Sequence, residues 1–371
     1  MNFDYSDDQK FLKGEARKFL EARCGSAVVR GVLNNEDVSF DKDLWKGVAE
    51  QGWLGAAIAE EHGGLGLGHI ELCAIAEEMG RVAAPIPFAS TVYFVAEAIA
   101  AAGTDEQKAD LLPKIAAGEL IGCYATSEGP GALTPGAVKC KVEGGKLSGV
   151  KIPVTDGDCA DIAIVLANEA GRPGLFLVDL KGGGVTVETL KSLDPTRGVA
   201  RLTFKDAPAR ALGAAGEGFN ITEQVFDRAA VLLSFEQVGG ADRCLEMAKE
   251  YALERYAFGR VIASYQAIKH KLADMYVKNE VARSNAYYGA WALNTNAPEL
   301  PVAASAARIA GSEAYWFASK ENIQTHGGMG FTWEVDCHLY YRRSRQLALV
   351  AGGPKVWKER LVTQLERRNA A

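Results

Sequence analysis

The stretch Arg255-Tyr256-Ala257-Phe258-Gly259-Arg260 interrupts a long run of helical periodicity. Apolar residues recur every three or four positions on both sides of it: Leu245, Ala248, Ala252 and Tyr256 before the break, and Ile268, Leu272, Met275 and Val281 after it. Glycine costs a helix interior about 1 kcal/mol relative to alanine, so Gly259 favours a break. The pattern predicts two helices joined by a turn that presents Arg255 and Phe258. On periodicity alone this is an ordinary connection between helices with an exposed arginine.

A second segment, Gln324-Thr325-His326-Gly327-Gly328-Met329-Gly330-Phe331, changes that interpretation. Together with the first stretch, Gln266 and Leu272-Ala273-Asp274-Met275, it resembles the acyl-CoA dehydrogenase family. In that family the arginine, phenylalanine and glutamine bind the pyrophosphate and adenosine half of FAD in a neighbouring subunit. The resemblance implies that a set of six residues binds FAD: Arg255, Phe258, Gln266, Gln324, Gly327 and Gly328. Two motifs in this order are more specific than one glycine-rich run.

Composition limits the classes of protein to which the chain can belong. It has 371 residues and a net charge of -6, without a lysine and arginine run, so a nucleic-acid partner is disfavoured. Its seven cysteines are scattered and form no C-x-x-C pair, which predicts reduced thiols in a cytoplasmic protein. The acidic first residues predict neither a signal peptide nor a transit peptide. We expect no membrane span and no metal site.

Local signals divide the chain into helical, β and helical parts. Capping boxes at Ser6 with Gln9 and at Thr104 with Gln107 predict two helix starts. Phe11, Ala16, Phe19 and Leu20 form the predicted apolar stripe of the first helix, and Gly80 is the expected end of another. Strands are predicted at 161–167, 174–180, 185–190 and 201–205.

The same order is found in the acyl-CoA dehydrogenase fold. The resemblance implies an α+β, mainly α protein with an N-terminal helical domain (1–120), a middle β domain (121–213) and a C-terminal four-helix bundle (214–371). It also implies that FAD lies between the middle domain and the bundle.

The reaction of this family requires a base, because the α proton of a thioester is removed while the β hydride goes to flavin N5. In the family, the base is a glutamate at one of two positions. Counting from the motifs places Ala229 and Ala351 at these positions. Asp227, two residues before Ala229, and Glu236, two helical turns after it, are the remaining candidates. An Asp or Glu in such a sequence is more commonly a solvated surface carboxylate.

The segment that meets the flavin ring in the family is also altered. Its T-E-P-x-x-G-S-D motif corresponds to residues 126–134, where Ser127 retains a hydroxyl for the ring but the Gly-Ser pair is gone. Its W-I-T motif corresponds to Pro153-Val154-Thr155, where Thr155 retains the hydroxyl and Pro153 replaces the tryptophan.

The resemblance implies FAD-dependent α,β-dehydrogenation of an acyl-CoA thioester, with electrons passing to an electron-transfer flavoprotein. The six residues that the resemblance assigns to FAD binding, called the FAD-binding arm below, are intact, whereas both base positions are altered. This favours an alternative, a non-catalytic subunit of a heterotetramer that contributes the FAD-binding arm to a partner chain. A homotetramer with a relocated base and a relative that oxygenates its substrate remain open. Arg342, Arg343 and Arg345 are expected on a solvated helix face.

Overall fold

The computed structural model describes residues 5–370 as two compact units. Unit 1 contains residues up to 27, residues 69–84 and residues from 230 onward, and unit 2 contains residues 28–68 and 85–229. The helices are α1 (Asp7–Arg23), α2 (Ser26–Leu33), α3 (Lys42–Glu50), α4 (His69–Arg81), α5 (Glu97–Ala102), α6 (Asp105–Ala116), α7 (Gly218–Glu254), α8 (Gln266–Asn294), α9 (Leu300–His326), α10 (Cys337–Leu349) and α11 (Pro354–Ala370).

Unit 2 is built around one eight-stranded sheet. Its strands are β1 (Gly122–Ala125), β2 (Lys141–Glu143), β3 (Lys146–Thr155), β4 (Ile162–Glu169), β5 (Arg172–Asp179), β6 (Val185–Thr189), β7 (Val199–Pro208) and β8 (Arg210–Leu212). The order is β6-β7-β3-β2-β4-β5-β8, and β1 pairs in parallel with β4. The strands β4 and β5 are mostly buried because both carry continuous apolar runs.

Unit 1 is helical, and small residues in its core, many of them alanine, let the helices approach closely. Val238 of α7, Ala282 of α8 and Ala314 of α9 form one buried cluster. A buried ion-pair network joins α1, α4 and α8: Glu77 of α4 accepts hydrogen bonds of 2.5 Å from both Lys13 of α1 and Arg283 of α8. Burial alone would raise the pKa of Glu77, but these two cations lower it.

The helix, sheet, helix order expected from the sequence is confirmed, and so are both capping boxes. The four predicted strands correspond to β4, β5, β6 and β7. Strands β1, β2, β3 and β8 and helix α2 were not predicted. The domain boundaries at 120 and 213 remain a prediction.

Two local expectations were wrong. Gly80 does not end its helix, because α4 continues to Arg81 and packs so closely on α7 that a Cβ at Gly80 would lie 1.8 Å from the Glu236 carbonyl oxygen. Phe11 belongs to no buried stripe, since it is 71% exposed while Ala16 and Leu20 are buried. No helix within 5–370 is long and apolar enough to cross a membrane.

Candidate functional site

The predicted turn before α8 is a short β-hairpin. Strands β9 (Tyr256–Ala257) and β10 (Arg260–Val261) pair antiparallel, with Phe258 and Gly259 between them at φ +53° and +80°. Two positive φ values are typical of the type I′ turn, which matches the twist of paired strands. The turn leaves Phe258 97% exposed.

Two contacts of Tyr265 hold this hairpin against the start of α8, and a third contact closes the open end of the hairpin. The Tyr265 hydroxyl donates to the Ala257 carbonyl at 2.9 Å, and the Arg260 guanidinium lies 3.9 Å from the centre of the Tyr265 ring. The Ile262 amide donates to the Arg255 carbonyl at 2.8 Å. These contacts constrain the backbone of the turn that carries Phe258, as a preformed binding element requires.

The glycine-rich segment begins where α9 ends. His326 is buried, stacks on Tyr251 at 4.2 Å between ring centres and shares a hydrogen bond of 2.9 Å with the Asn322 carbonyl. Burial lowers the pKa of His326 because the charged imidazolium is poorly solvated there. Gly327 follows at φ +61° with nothing within 4 Å of the place where a Cβ would lie.

Helices α8 and α9 bring the two segments to the same end of unit 1. Because a short loop joins the two helices, the first turn of α8 and the last turn of α9 are neighbours. An ion pair of 3.1 Å between Lys271 and Glu321 fixes this register. Gln266 on α8 and Gln324 on α9 both have exposed side chains at this end.

This end of unit 1 fits the half of FAD that the resemblance assigns to it. Arg255 is exposed beside Phe258, and the backbone of Gly327 and Gly328 is open to a ligand. The N-terminus of α8 has no side-chain cap, and an uncapped helix N-terminus stabilises a phosphate group. The residues at this end of unit 1 therefore supply a guanidinium cation, an exposed aromatic ring, amide groups and a backbone that a ligand can approach.

The two predicted ring contacts lie in unit 2. Ser127 follows β1, and its carbonyl accepts a hydrogen bond of 2.8 Å from the Ile152 amide. Thr155 ends β3 and is half-buried. The next residue, Asp156, is buried and accepts two hydrogen bonds from Arg197, at 3.0 and 2.6 Å, which fix the end of this strand.

Neither family base position carries a carboxylate. Ala229 lies in α7 and is fully buried, and Ala351 follows α10 at φ +59°. Asp227 is 3% exposed, so it is not a solvated surface carboxylate. Glu236 lies seven residues after Ala229, about two turns along, so it shares that helix face, whereas Asp227 is rotated by roughly 200°.

Glu236 lies in the interior of unit 1 with two buried arginines. Its carboxylate is 3.8 Å from Arg343, which also donates to the Ala83 and Ala84 carbonyls. Arg308 donates to the Leu347 and Val350 carbonyls just before Ala351, and burial lowers its pKa to about 9. The expectation that Arg343 faces solvent was wrong, because it is 1% exposed and satisfies helix carbonyls. An arginine-rich helix end alone could not reveal this packing.

Comparison with known proteins identifies the family. Residues 6–119 match the model "Acyl-CoA dehydrogenase, N-terminal domain", and residues 216–365 match "Acyl-CoA dehydrogenase, C-terminal domain". The chain therefore belongs to the acyl-CoA dehydrogenase family, whose members are FAD-dependent oxidoreductases.

Three relatives illustrate the similarity. Acyl-CoA dehydrogenase IpdE2 of Mycobacterium tuberculosis is 32% identical over 362 residues, covering 97% of this chain and 98% of the relative. A chain in a structure described as the electron transferring flavoprotein of Acidaminococcus fermentans superposes with a TM-score of 0.92 at 27% identity, covering 98% of this chain and 99% of that one. A chain of the ChsE4-ChsE5 complex from Mycobacterium tuberculosis has a TM-score of 0.89 at 25% identity and covers 99% of both.

Proposed function

We propose that this chain functions in FAD-dependent α,β-dehydrogenation of an acyl-CoA thioester, with electrons passing to an electron-transfer flavoprotein. The observation that carries the proposal is the joint presentation of Arg255, Phe258 and Gln266 with Gln324 and Gly327 at one end of the α8 and α9 hairpin. Family membership and the similar chain in the Acidaminococcus structure support it.

In this proposal each part of the arm has a separate role. The Arg255 guanidinium binds the pyrophosphate, for which its planar fork of donors is suited. Phe258 packs on the adenosine, and Gln266 and Gln324 donate hydrogen bonds to the same half of FAD. The open backbone at Gly327 and Gly328 allows close approach of the ligand. The Phe258 ring is 97% exposed on a turn between two paired strands, so it is available to pack on a ligand.

The ring contacts and the base complete the proposed chemistry. FAD, when bound, accepts the electron pair that leaves the β carbon of the substrate. Ser127 and Thr155 donate hydrogen bonds to the ring and fix its orientation, for which the Ser127 hydroxyl turns from the Gly129 carbonyl that lies 3.3 Å from it. Asp227 and Glu236, both buried in α7, are the candidates for holding the α proton.

A second candidate is a non-catalytic subunit of a heterotetrameric acyl-CoA dehydrogenase. The specific observation that favours it is the pair of alanines at the family base positions, combined with the buried Arg343 that lies 3.8 Å from Glu236. The similar ChsE4-ChsE5 structure is a complex of two chains, which supports this arrangement. In this case a partner chain supplies the base, and this chain contributes its arm.

Activity of the purified chain with an acyl-CoA panel and electron-transfer flavoprotein distinguishes these candidates. A positioned general base contributes roughly 10² to 10⁴ in rate. If the chain has its own base, Asp227→Asn or Glu236→Gln lowers its activity by about that factor. If it is the supporting subunit, the chain alone is inactive, and activity appears only with a second family member. Ala351→Glu, with Ala351→Gln as its matched control, then restores activity to this chain.

A further inference from the structure

Lys151 is a lysine with no exposed side-chain surface in the middle of β3. Its Nζ donates to the Glu128 carboxylate at 2.7 Å and to the Thr126 carbonyl at 3.0 Å. Burying an ammonium group is costly unless such partners offset the lost hydration. An apolar side chain of similar size would fill the same space at no such cost, so packing alone does not account for lysine at this position.

Glu128 accepts two further hydrogen bonds from the other side of a loop. Its Oε2 accepts from the Lys139 amide at 2.8 Å, and its Oε1 accepts from the Cys140 amide at 3.0 Å. Residues 129–138 between these contacts include several exposed glycines and prolines. The Glu128 carboxylate therefore joins the beginning of the loop, at residue 128, to its end at residues 139 and 140. Burial alone would raise the pKa of Glu128, but Lys151 and the two amides lower it and keep the carboxylate charged.

The same contacts fix Ser127 on both sides. The Thr126 carbonyl is held by Lys151, the Glu128 carboxylate is held by Lys151 and two amides, and the Ser127 carbonyl accepts from the Ile152 amide at 2.8 Å. Three successive residues are thus tied to β3 or to the loop end. An unconstrained loop of this composition would lose far more backbone entropy when a ligand ordered it.

We infer that Lys151 and Glu128 are positioning residues that order the segment 126–140 before cofactor binds, so that the Ser127 hydroxyl is presented to the flavin ring. The inference rests on the proposed role of Ser127 in FAD binding. It predicts that breaking the Lys151 to Glu128 contact affects the flavin environment more than it affects overall folding.

The test uses Lys151→Met and Glu128→Gln in the full-length chain. Glu128→Gln removes the charge and turns one acceptor into a donor facing the Lys139 amide, yet it keeps the side-chain volume. Leu175→Ala is the control for lost stability, because Leu175 is a buried residue of β5 outside the 126–140 segment. Arg201→Met is the control for a lost ion pair, because it removes an exposed pair with Glu188 at 2.9 Å.

Hydrogen exchange of the flavin-free proteins is measured first. The inference predicts exchange about tenfold faster in peptides covering 128–140 for both Lys151→Met and Glu128→Gln, with both controls unchanged there. Unchanged exchange in that segment would overturn the inference, whether or not the chain binds flavin. Absence of flavin in every preparation, including assemblies with a second chain, would instead contradict the proposed function.

The visible absorption and circular dichroism of bound flavin are measured next, in whichever assembly retains FAD. The inference predicts a shifted flavin band and reduced flavin occupancy in both Lys151→Met and Glu128→Gln, and neither change in Leu175→Ala. Faster exchange with an unchanged flavin spectrum and occupancy would show that the contact between Lys151 and Glu128 orders the loop without affecting the flavin. This result would overturn the positioning role.

Discussion

The carboxylate of Glu236 lies 3.8 Å from the guanidinium of Arg343, and both side chains are at most 5% exposed. Arg308, which is also buried, is attracted by the same carboxylate. A base that removes a proton from substrate must lie within hydrogen-bond distance of that proton, whereas the Glu236 carboxylate lies in a buried interior beside a guanidinium. This relationship assigns Glu236 mainly to the interior of unit 1.

Glu236→Gln is therefore expected to destabilise the protein. Removing one partner of a buried ion pair leaves an uncompensated charge, which costs about 3 kcal/mol at the low end of the measured range. Chemical unfolding of the variant measures this cost. Unchanged stability together with a selective loss of turnover would instead identify Glu236 as the catalytic base.

Gly80→Ala is expected to destabilise unit 1 despite its better helix propensity. The gain from replacing glycine in a helix is about 1 kcal/mol. The new Cβ would lie 1.8 Å from the Glu236 carbonyl oxygen, and overpacking of this kind costs typically 1 to 3 kcal/mol and occasionally more.

Gly14→Ala is the matched control, because Gly14 lies in α1 and nothing lies within 4 Å of its added Cβ. It should raise the unfolding free energy by up to about 1 kcal/mol. Thermal unfolding of both variants checks the pair. Equal effects at the two positions would contradict the close contact between α4 and α7.

Arg255→Ala is expected to weaken FAD binding in the native assembly. A hydrogen bond to a charged group contributes about 1.5 to 3 kcal/mol, so the dissociation constant should rise roughly 10 to 100-fold. Retention of flavin on dilution measures the change. Arg201→Ala, at a half-exposed arginine of β7, is the control. Similar flavin loss in both variants would remove Arg255 from the proposed site.

His326 should make unit 1 less stable as the pH falls below neutrality. Its folded-state pKa is lowered by burial, so the unfolded chain takes up a proton first, near pH 6.5. Stability is complete above that pH and falls as the pH decreases toward the folded-state pKa, with a slope of at most about 1.4 kcal/mol per pH unit.

His326→Phe keeps an aromatic ring against Tyr251 and removes the titration. Unfolding free energies of both proteins between pH 7 and 5 should differ in slope. Parallel pH profiles would show that His326 does not titrate on unfolding in this range.

Local chemistry made part of the structure predictable. The capping boxes at Ser6 and Thr104 depend on residues three positions apart, and the turn at Gly259 depends on one glycine beside a helical pattern. Two motifs sufficed to predict the family because they occur in the family's order and spacing.

Long-range packing made the rest unpredictable. Gly80 looks like a helix end until α7 is placed against it, and Arg343 looks solvated until the Ala83 and Ala84 carbonyls are seen beside it. Lys151 gives no sign of burial, because its partners Thr126 and Glu128 are more than twenty residues away along the chain. These contacts join elements whose pairing the sequence pattern does not specify.

The central claim is that assemblies containing this chain dehydrogenate an acyl-CoA thioester through bound FAD. Its most direct test is the visible flavin spectrum during anaerobic titration with an acyl-CoA panel, recorded for the chain alone and for the chain with a second family member. The account predicts that the flavin band bleaches with at least one acyl-CoA in one of these assemblies. A fully flavinated assembly whose band persists with every acyl-CoA would contradict it.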